Sequence, residues 1–216
     1  MGKKVKTPPP LASLGEPPQP SPVPAEFSAT RLPEVVLIKP KIYHDPRGFF
    51  FESFKQSDFS SAGLPSDFVQ ENYSYSKANV IRGLHYQRPP KAQAKLVRVV
   101  SGSVWDVFVD IRPNSPRFGH WHGEVLSDEN CHQLFIPAGF AHGFKVLTDS
   151  ATVLYRTTQE YAPELEGGIQ WNDPMIGISW DIPTPLISER DHALPTLEEE
   201  TSSGGLDCFR LDQGNE

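Results

Sequence analysis

The sequence predicts an all-β domain, arranged as a sandwich or a barrel with few helices. Seven short runs rich in β-branched and aromatic residues recur along the chain, and Gly, Pro, Asn or Asp punctuates most of the gaps between them. Helical periodicity is scarce, and Gln56–Ala62 is the best candidate for a short helix. Many short strands with regular turn signals are typical of sandwiches and barrels. The runs are Val35–Ile38, Gly48–Phe54, Leu96–Val100, Val104–Ile111, Trp121–Leu126, Gln133–Ile136 and Thr152–Thr157.

The run Val104–Ile111 is the clearest of these strands. Side chains alternate between the two faces of a strand, so Asp106 and Phe108 share a face with Val104 and Asp110. The other face is an uninterrupted apolar row of Trp105, Val107, Val109 and Ile111. We therefore expect that row to pack against a core.

The two ends of the chain differ from its middle. Residues 1–30 contain TPPP, EPPQP and SPVPAE, and this density of proline predicts a disordered leader. Three consecutive glutamates followed by TSSGG predict a disordered acidic tail over residues 197–216. One compact domain is expected between them, at residues 31–196. The start lacks the apolar stretch of a signal peptide and no run reaches the length of a membrane span, which predicts a cytoplasmic protein.

Charge and cysteine content exclude several classes of function. The net charge is −7, and beyond the lysines near the start no dense basic run is present, which argues against nucleic-acid binding. A few arginines in a pocket can still bind an anionic small molecule. Cys131 and Cys208 form neither a disulfide framework nor a CxxC zinc site, so we expect two free thiols in a reducing compartment.

Motifs for other chemistries are weak or missing. The sequence has no Walker loop, no dinucleotide fingerprint and no GxSxG elbow. The pair His120 and His122 has the spacing of two metal ligands on one strand, with Glu124 as a third candidate. No further histidine follows at close range, so surface imidazoles are the default interpretation and no metal is expected.

Four residues have side chains suited to catalysis, although each also has an ordinary structural explanation. His85 follows a glycine turn and Lys95 opens an apolar strand, where a buried ammonium group is costly unless it meets an anion. His142 lies between aromatic residues and either lines a pocket or is merely hydrogen-bonded. Tyr155 alternates with Val153 in a strand, as a core tyrosine would.

These residues lie within motifs that resemble the dTDP-4-dehydrorhamnose 3,5-epimerase family, from about Pro33 to Pro195. Seven matching stretches occur in the order typical of that family, which makes a chance resemblance implausible. They are Asp45–Glu52, Gln70–Asn72, Arg82–Gln87, Lys95–Arg98, Ile136–Phe144, Trp171–Pro174 and Ser188–Asp191.

The resemblance implies a cupin-type jelly-roll barrel that converts dTDP-4-dehydro-6-deoxy-D-glucose to dTDP-4-dehydro-L-rhamnose. It assigns His85 as the base, Asp191 as its dyad partner, Tyr155 as the acid on the opposite face and Lys95 as the cation beside the C4 oxygen. It implies a homodimer, and proton transfer of this kind requires no metal or redox cofactor. The residues that match the sugar-nucleotide pocket are Arg47, Glu52, Gln70, Asn72, Arg82, His142 and Tyr161, with Tyr43 where the family often has Phe.

Three other functions remain open at the level of sequence. A mono-epimerase, or an epimerase of another nucleotide sugar, would share the mechanism. A sugar-binding cupin without catalysis would be expected to have lost part of the set formed by His85, Lys95, Tyr155 and Asp191, all of which are present here. The third is a metal-dependent cupin oxygenase. It remains open because the fold alone does not separate these functions.

Overall fold

Two antiparallel sheets and a separate hairpin make up the computed structural model, which describes residues 25–211. One sheet has six strands in the order β1-β2-β10-β7-β12-β5, and the other has five in the order β13-β6-β11-β8-β9. The strands are β1 (Glu26–Ala29), β2 (Val36–Lys39), β3 (Tyr43–Asp45), β4 (Gly48–Phe50), β5 (Gln70–Lys77), β6 (Ile81–Gln87), β7 (Lys95–Ser101), β8 (Ser103–Asp110), β9 (Trp121–Ser127), β10 (Gln133–Ile136), β11 (Phe140–Val146), β12 (Ser150–Thr157) and β13 (Glu166–Gly168). The helices are α1 (Gln56–Ser61), α2 (Glu189–His192) and α3 (Leu197–Ser202), with 3₁₀ turns at Pro163–Leu165 and Asp207–Phe209.

The central core lies between the two sheets. Val97 and Val153 from the six-stranded sheet pack in one cluster with Phe108 and Leu126 from the five-stranded sheet, and each of these side chains is almost fully buried. Burying one such side chain stabilises the fold by about 1.5–3 kcal/mol. The alternation of apolar residues in these strands therefore accounts for the packing of two layers.

Strand β8 is buried on both of its faces. Val104 and Phe108 point into the central core, whereas Val107 and Val109 belong to a second core on the outer side of the five-stranded sheet. The prediction that the apolar row faces a core is confirmed. Asp106 shares the central face and is fully buried, so a carboxylate lies inside the barrel.

A third core covers the outer side of the six-stranded sheet. Phe59 of α1 packs there against Ile38, Leu96 and Phe135, with partly buried Phe54 beside it. The helix predicted at Gln56–Ala62 is confirmed, with Gln56–Ser61 helical.

Six of the described strands were absent from the sequence prediction: β1, β3, β5, β6, β11 and β13. Strands β5, β6 and β11 carry polar residues or glycine at positions where an apolar pattern was sought, such as Asn72, Gly83, His85 and His142. The predicted run Gly48–Phe54 is also shorter as a strand, ending at Phe50.

The predicted boundaries of the domain were wrong at both ends. Strand β1 begins at Glu26, inside the leader predicted over residues 1–30; residues 1–24 lie outside the described part of the chain. The tail predicted as disordered from residue 197 contains α3, and its apolar residues Leu197, Leu206 and Phe209 are buried on the second core. The prediction of disorder rested on the acidic run and did not take these three apolar residues into account.

Charged residues also attach this C-terminal segment to the barrel. Arg88 at the end of β6 donates hydrogen bonds to Glu200 and to the Gly205 carbonyl, and Tyr86 donates to Glu200 over 2.9 Å. Thr196 and Glu199 form a capping box that begins α3. The segment is therefore part of the folded domain.

No helix within residues 25–211 is long and apolar enough to cross a membrane. Both cysteines are free thiols, as predicted, with Cys131 buried and Cys208 exposed.

The docking of the C-terminal segment predicts that Leu206, which lies outside the predicted domain, contributes strongly to the free energy of unfolding. Leu206→Ala should lower the free energy of unfolding by about 2–5 kcal/mol, because Leu206 is fully buried and its truncation leaves a cavity. Leu211→Ala is the matched control, since Leu211 is 41% exposed and should cost little. Urea unfolding measures both values. Equal, small effects would mean that the segment is not docked.

Candidate active site

Three of the four predicted catalytic side chains, His85, Lys95 and Tyr155, line an open cavity between the two sheets. The fourth, Asp191, is hydrogen-bonded to His85. His85 on β6 and His142 on β11 enter the cavity from the five-stranded sheet, whereas Lys95 on β7 and Tyr155 on β12 enter it from the six-stranded sheet. The part beside Arg82 and His142 has a volume of about 270 Å³, and an adjoining part of about 220 Å³ extends to Gln70 and Asn72 on β5. The cavity therefore presents polar groups from both layers.

His85 and Asp191 form a hydrogen-bonded pair at the wall of this cavity. Nε2 of His85 lies 2.8 Å from Oδ1 of Asp191, a residue of α2 that is nearly buried. Burial raises the pKa of Asp191, but the hydrogen bond and charge of His85, together with the hydrogen bonds from Gly83 and Ser188, outweigh it, and the pKa lies below its ordinary value. An ionised Asp191 accepts a hydrogen bond from Nε2–H, and in a neutral imidazole this leaves Nδ1 with a free lone pair.

Gly83 allows this pair to form. Its backbone N–H donates to the other oxygen of Asp191 over 3.1 Å. Its φ is +112°, and a Cβ atom here would lie 2.6 Å from Cα of Gly143 on the neighbouring strand β11. Only glycine therefore fits this position, where two backbones approach closely.

Lys95 is a buried ammonium group on the opposite wall. Its Nζ donates to the backbone carbonyl of His85 over 3.2 Å. Burial lowers the pKa of Lys95 to about 8, although the negative charges of Asp106 and Glu166 oppose this. Lys95 is thus still mostly a cation at neutral pH.

Tyr155 supplies a phenol to the same cavity. It pairs with Asn72 on the edge strand β5 and with Val97 on β7. Burial raises the pKa of the Tyr155 hydroxyl above its ordinary value, so the group keeps its proton at neutral pH. Such a hydroxyl can donate a proton to a neighbouring reactive carbon.

His142 lies against a second carboxylate. Its Nε2 is within 3.0 Å of both oxygens of Asp106, which is fully buried. Burial lowers the pKa of His142 below its ordinary value despite the charge of Asp106. From the sequence, Asp106 was predicted only to share a strand face with Val104 and Phe108.

The mouth of the cavity holds a connected polar network. The backbone N–H of Tyr161 donates to Gln70, and the Tyr161 hydroxyl donates to Glu166 over 2.6 Å. Arg190 forms an ion pair with Glu166 and also lines the cavity. Glu166 was not predicted as a site residue, because it lies in no recognisable motif. Arg190 was not predicted either, although it directly precedes Asp191 in the matching stretch Ser188–Asp191.

The remaining predicted binding residues divide into two groups. Arg82 lines the cavity, and its Nε donates to Ser76 over 2.9 Å. Tyr43 and Glu52 lie in a separate small groove beside α1. Arg47 lies at the turn of the β3–β4 hairpin, where its side chain is 89% exposed and pairs with Asp45. Within one chain, these three residues are not brought together with His85.

The candidate metal ligands do not assemble into a site. His122 pairs with Glu124 at 3.1 Å and packs edge-on against Phe108. Among residues 25–211, no group of three potential protein ligands is placed to hold a metal ion.

This arrangement suits proton transfer next to a carbonyl group. The imidazole of His85 lines the cavity from one sheet, and the phenol of Tyr155 and the ammonium group of Lys95 line it from the other. A base, an acid and a cation are the groups needed to remove a proton beside a carbonyl, to stabilise the resulting enolate and to return a proton.

The lowered pKa of Lys95 predicts a pH dependence of stability. Burial lowers this pKa from 10.5 to about 8 in the folded chain. Between those values the unfolded chain binds more protons, so the stability of the wild type rises with pH there. Lys95→Met lacks this titration, and its stability relative to the wild type should fall by up to about 3 kcal/mol between pH 8 and pH 10.5. Urea unfolding across this range measures the difference; a constant difference would contradict the lowered pKa.

Comparison with known proteins identifies relatives that cover most of the chain. A protein from Pseudomonas aeruginosa called dTDP-4-dehydrorhamnose 3,5-epimerase is 54% identical over 85% of this chain and 99% of its own. The crystal structure of the Legionella pneumophila dTDP-6-deoxy-D-glucose-3,5-epimerase in complex with dTDP-4-keto-L-rhamnose matches with a TM-score of 0.78 and 45% identity, covering 81% of this chain and 93% of that one.

A 3'-monoepimerase from Streptomyces bikiniensis in complex with dTDP-quinovose matches with a TM-score of 0.78 at 35% identity, over 83% of this chain and 91% of that one. These likenesses and the two-sheet architecture confirm the predicted cupin-type fold. The family model described as dTDP-4-dehydrorhamnose 3,5-epimerase matches residues 29–199. With that match and relatives at about half identity, the chain belongs to the dTDP-4-dehydrorhamnose 3,5-epimerase family.

Proposed function

We propose that this protein epimerises C3 and C5 of dTDP-4-dehydro-6-deoxy-D-glucose, giving dTDP-4-dehydro-L-rhamnose. The observation that carries the proposal is the His85–Asp191 pair in a cavity whose opposite wall presents Lys95 and Tyr155. Relatives at about half identity bear the name of this activity. The four groups match the demands of proton exchange on both sides of a ketone.

His85 acts as the general base. The C4 carbonyl acidifies the protons on C3 and C5, and Nδ1 of His85 removes such a proton to give an enolate. Asp191 accepts a hydrogen bond from Nε2, which fixes the tautomer and stabilises the imidazolium that forms. General base catalysis of this kind accelerates a reaction by about 10²–10⁴-fold.

Lys95 stabilises the negative charge that develops on the C4 oxygen. Its Nζ is buried and is held by one backbone carbonyl, so it retains further protons to donate. Loss of one preorganised donor of this kind costs about 2.7–4 kcal/mol of transition-state stabilisation. Activity should consequently decline as Lys95 loses its proton above its lowered pKa of about 8.

Tyr155 returns a proton from the other side of the ring. It belongs to the six-stranded sheet, opposite the layer that carries His85. Burial raises the pKa of Tyr155, which keeps the phenol protonated and ready to donate. Removal of a proton on one face and its return on the other inverts the carbon.

Arg82 and Arg190 are the cations suited to the diphosphate of the nucleotide. Both line the part of the cavity that His85 and His142 also line. Guanidinium groups bind phosphate oxygens through two parallel hydrogen bonds, which explains how an acidic protein binds an anionic substrate. No metal or redox cofactor takes part in the proposed steps.

The main alternative is a mono-epimerase. The similarity to a 3'-monoepimerase shows that one-centre chemistry occurs on this fold. The higher identity to relatives named 3,5-epimerase favours two centres. A binding protein without catalysis is disfavoured, because His85, Lys95 and Tyr155 line one cavity and Asp191 is hydrogen-bonded to His85.

Deuterium exchange tests the activity and its base. In D₂O the wild type should introduce deuterium at both C3 and C5 of dTDP-4-dehydro-6-deoxy-D-glucose, as observed by proton NMR. His85→Ala should reduce both exchanges by at least about 10²-fold, because the base is lost. Tyr155→Phe should retain proton abstraction but yield much less inverted product.

His120→Ala is the matched control, since His120 is exposed and outside the cavity; it should exchange like the wild type. Label at one carbon only would identify a mono-epimerase. Undiminished exchange in His85→Ala would refute His85 as the base.

We also infer a homodimer in the cytoplasm. Phe49 and Phe50 on the β3–β4 hairpin are 57% and 60% exposed, and Tyr73 and Tyr75 add apolar area on the edge strand β5. Exposed apolar patches of this kind mark interaction surfaces. An interface at the hairpin would bring Arg47 close to a second subunit, consistent with its predicted role in binding substrate. The two free thiols fit a reducing compartment.

The dimer is tested by placing charge on the hairpin. The double variant Phe49→Asp, Phe50→Asp should shift the mass measured by light scattering from dimer to monomer, because carboxylates in an apolar interface are costly to desolvate. Met175→Asp changes a similarly exposed apolar residue elsewhere and should leave the mass unchanged. A wild type of monomer mass would contradict the proposal.

A further inference from the structure

We propose that Asp106 is a positioning residue, which holds His142 in the tautomer whose Nδ1 accepts a hydrogen bond from a hydroxyl group of the substrate's sugar ring. This inference rests on the proposed function and deepens it, because it assigns a determinant of substrate recognition. The pair lies on β8 and β11, in the same cavity as His85 but apart from the His85–Asp191 pair.

The contact between the two residues fixes where the imidazole proton lies. Nε2 of His142 is 3.0 Å from Oδ1 and 2.9 Å from Oδ2 of Asp106. A carboxylate that carries no proton only accepts hydrogen bonds, and this contact then requires the proton on Nε2. Asp106 is fully buried between the sheets and has no alternative position in solvent.

The other nitrogen of His142 faces the cavity. Within residues 25–211, the hydrogen bonds of the His142 side chain run from Nε2 alone. Among the described residues, two side-chain atoms without a hydrogen-bond partner are sealed from solvent, Glu34 Oε2 and Arg117 Nε. Nδ1 of His142 also has no partner but is not sealed from solvent. Because His142 lines the cavity, Nδ1 opens into it and is free to meet a ligand.

The charge state determines what kind of ligand group this nitrogen takes. Burial lowers the pKa of His142, and the nearby Lys95 and His85 lower it further, so the ring is neutral at pH 7. Neutral Nδ1 offers a lone pair and no proton. A sugar hydroxyl can donate to it, whereas a keto oxygen or a phosphate oxygen can only accept and would be rejected.

Lys95 and His142 therefore divide the recognition of the sugar between them. Lys95 presents only donors and suits the keto oxygen, while His142 presents an acceptor and suits a hydroxyl group. Placed in one cavity, the two groups orient the ring, because exchanging the keto and hydroxyl positions would leave both of them unpaired. Such mismatches are strongly discriminated against in buried sites.

A purely structural role for the pair makes a different prediction. If Asp106 only joined β8 to β11, its loss would weaken the fold and slow all substrates alike. A positioning role requires that Asp106 control the tautomer of His142 and that this control matter only for substrates with the hydroxyl. Tautomer and substrate discrimination are thus the two informative readouts.

The experiment combines nitrogen NMR with a substrate comparison. In protein with ¹⁵N-labelled histidine, the ring-nitrogen shifts of His142, assigned with His142→Gln, should show Nε2 protonated and Nδ1 unprotonated at pH 7. Asp106→Asn should populate the Nδ1–H tautomer, because an amide can either donate to Nε2 or accept from it. The wild type should prefer dTDP-4-dehydro-6-deoxy-D-glucose over its 2-deoxy or its 3-deoxy analogue by about 10–100-fold in kcat/KM for deuterium exchange at C5. In Asp106→Asn that preference should fall to within about threefold.

Asp110→Asn is the matched control. Asp110 is equally buried on the same face of β8, but it bonds to Arg112 and Ser115. It should leave both the tautomer of His142 and the substrate preference unchanged.

The proposal is overturned if His142 in the wild type carries a proton on Nδ1, or if Asp106→Asn slows the parent substrate and both analogues equally. Should Asp106→Asn fail to fold, the wild-type tautomer still decides. Absence of deuterium exchange in the wild type would instead overturn the proposed function, and the nitrogen spectrum, which needs no substrate, distinguishes the two failures.

Discussion

The site depends on one carboxylate that joins two distant parts of the chain. Asp191 accepts hydrogen bonds from His85 and from the backbone of Gly83, more than one hundred residues earlier in the sequence. It is held in turn by Ser188, whose side chain accepts from the Asp191 backbone at the start of α2. This contact sets the tautomer of His85 and joins α2 to β6.

The barrel around this contact holds several buried ionisable groups. Lys95, Asp106, His142 and Asp191 are all nearly or fully buried, and each has a hydrogen-bond partner. Leaving any of them unpaired would cost several kcal/mol. The apolar clusters on both sides of the five-stranded sheet supply the stability that such a polar interior requires.

The sequence predicted the all-β class because strands such as β7, β8 and β12 alternate regularly or are wholly apolar. It did not predict β6 as a strand, because Arg82, Gly83 and His85 interrupt the apolar pattern there. These three residues belong to the site or position it. Motif resemblance supplied His85 and Asp191, whose proximity the structure then showed. Glu166 and the pairing of Asp106 with His142 depend on contacts between strands, which spacing along one strand does not reveal.

The order in which the chain is made gives the C-terminal segment a further significance. Leu197, Leu206 and Phe209 cover the outer side of the five-stranded sheet, and they leave the ribosome after all thirteen strands. Until then the outer core lacks these three side chains and is covered by earlier residues such as Ile169, Ile176 and Trp180. His85 lacks its carboxylate until Asp191 has been made. A nascent chain that stops before Leu197 therefore exposes apolar surface that the C-terminal segment would cover, and such surface favours aggregation.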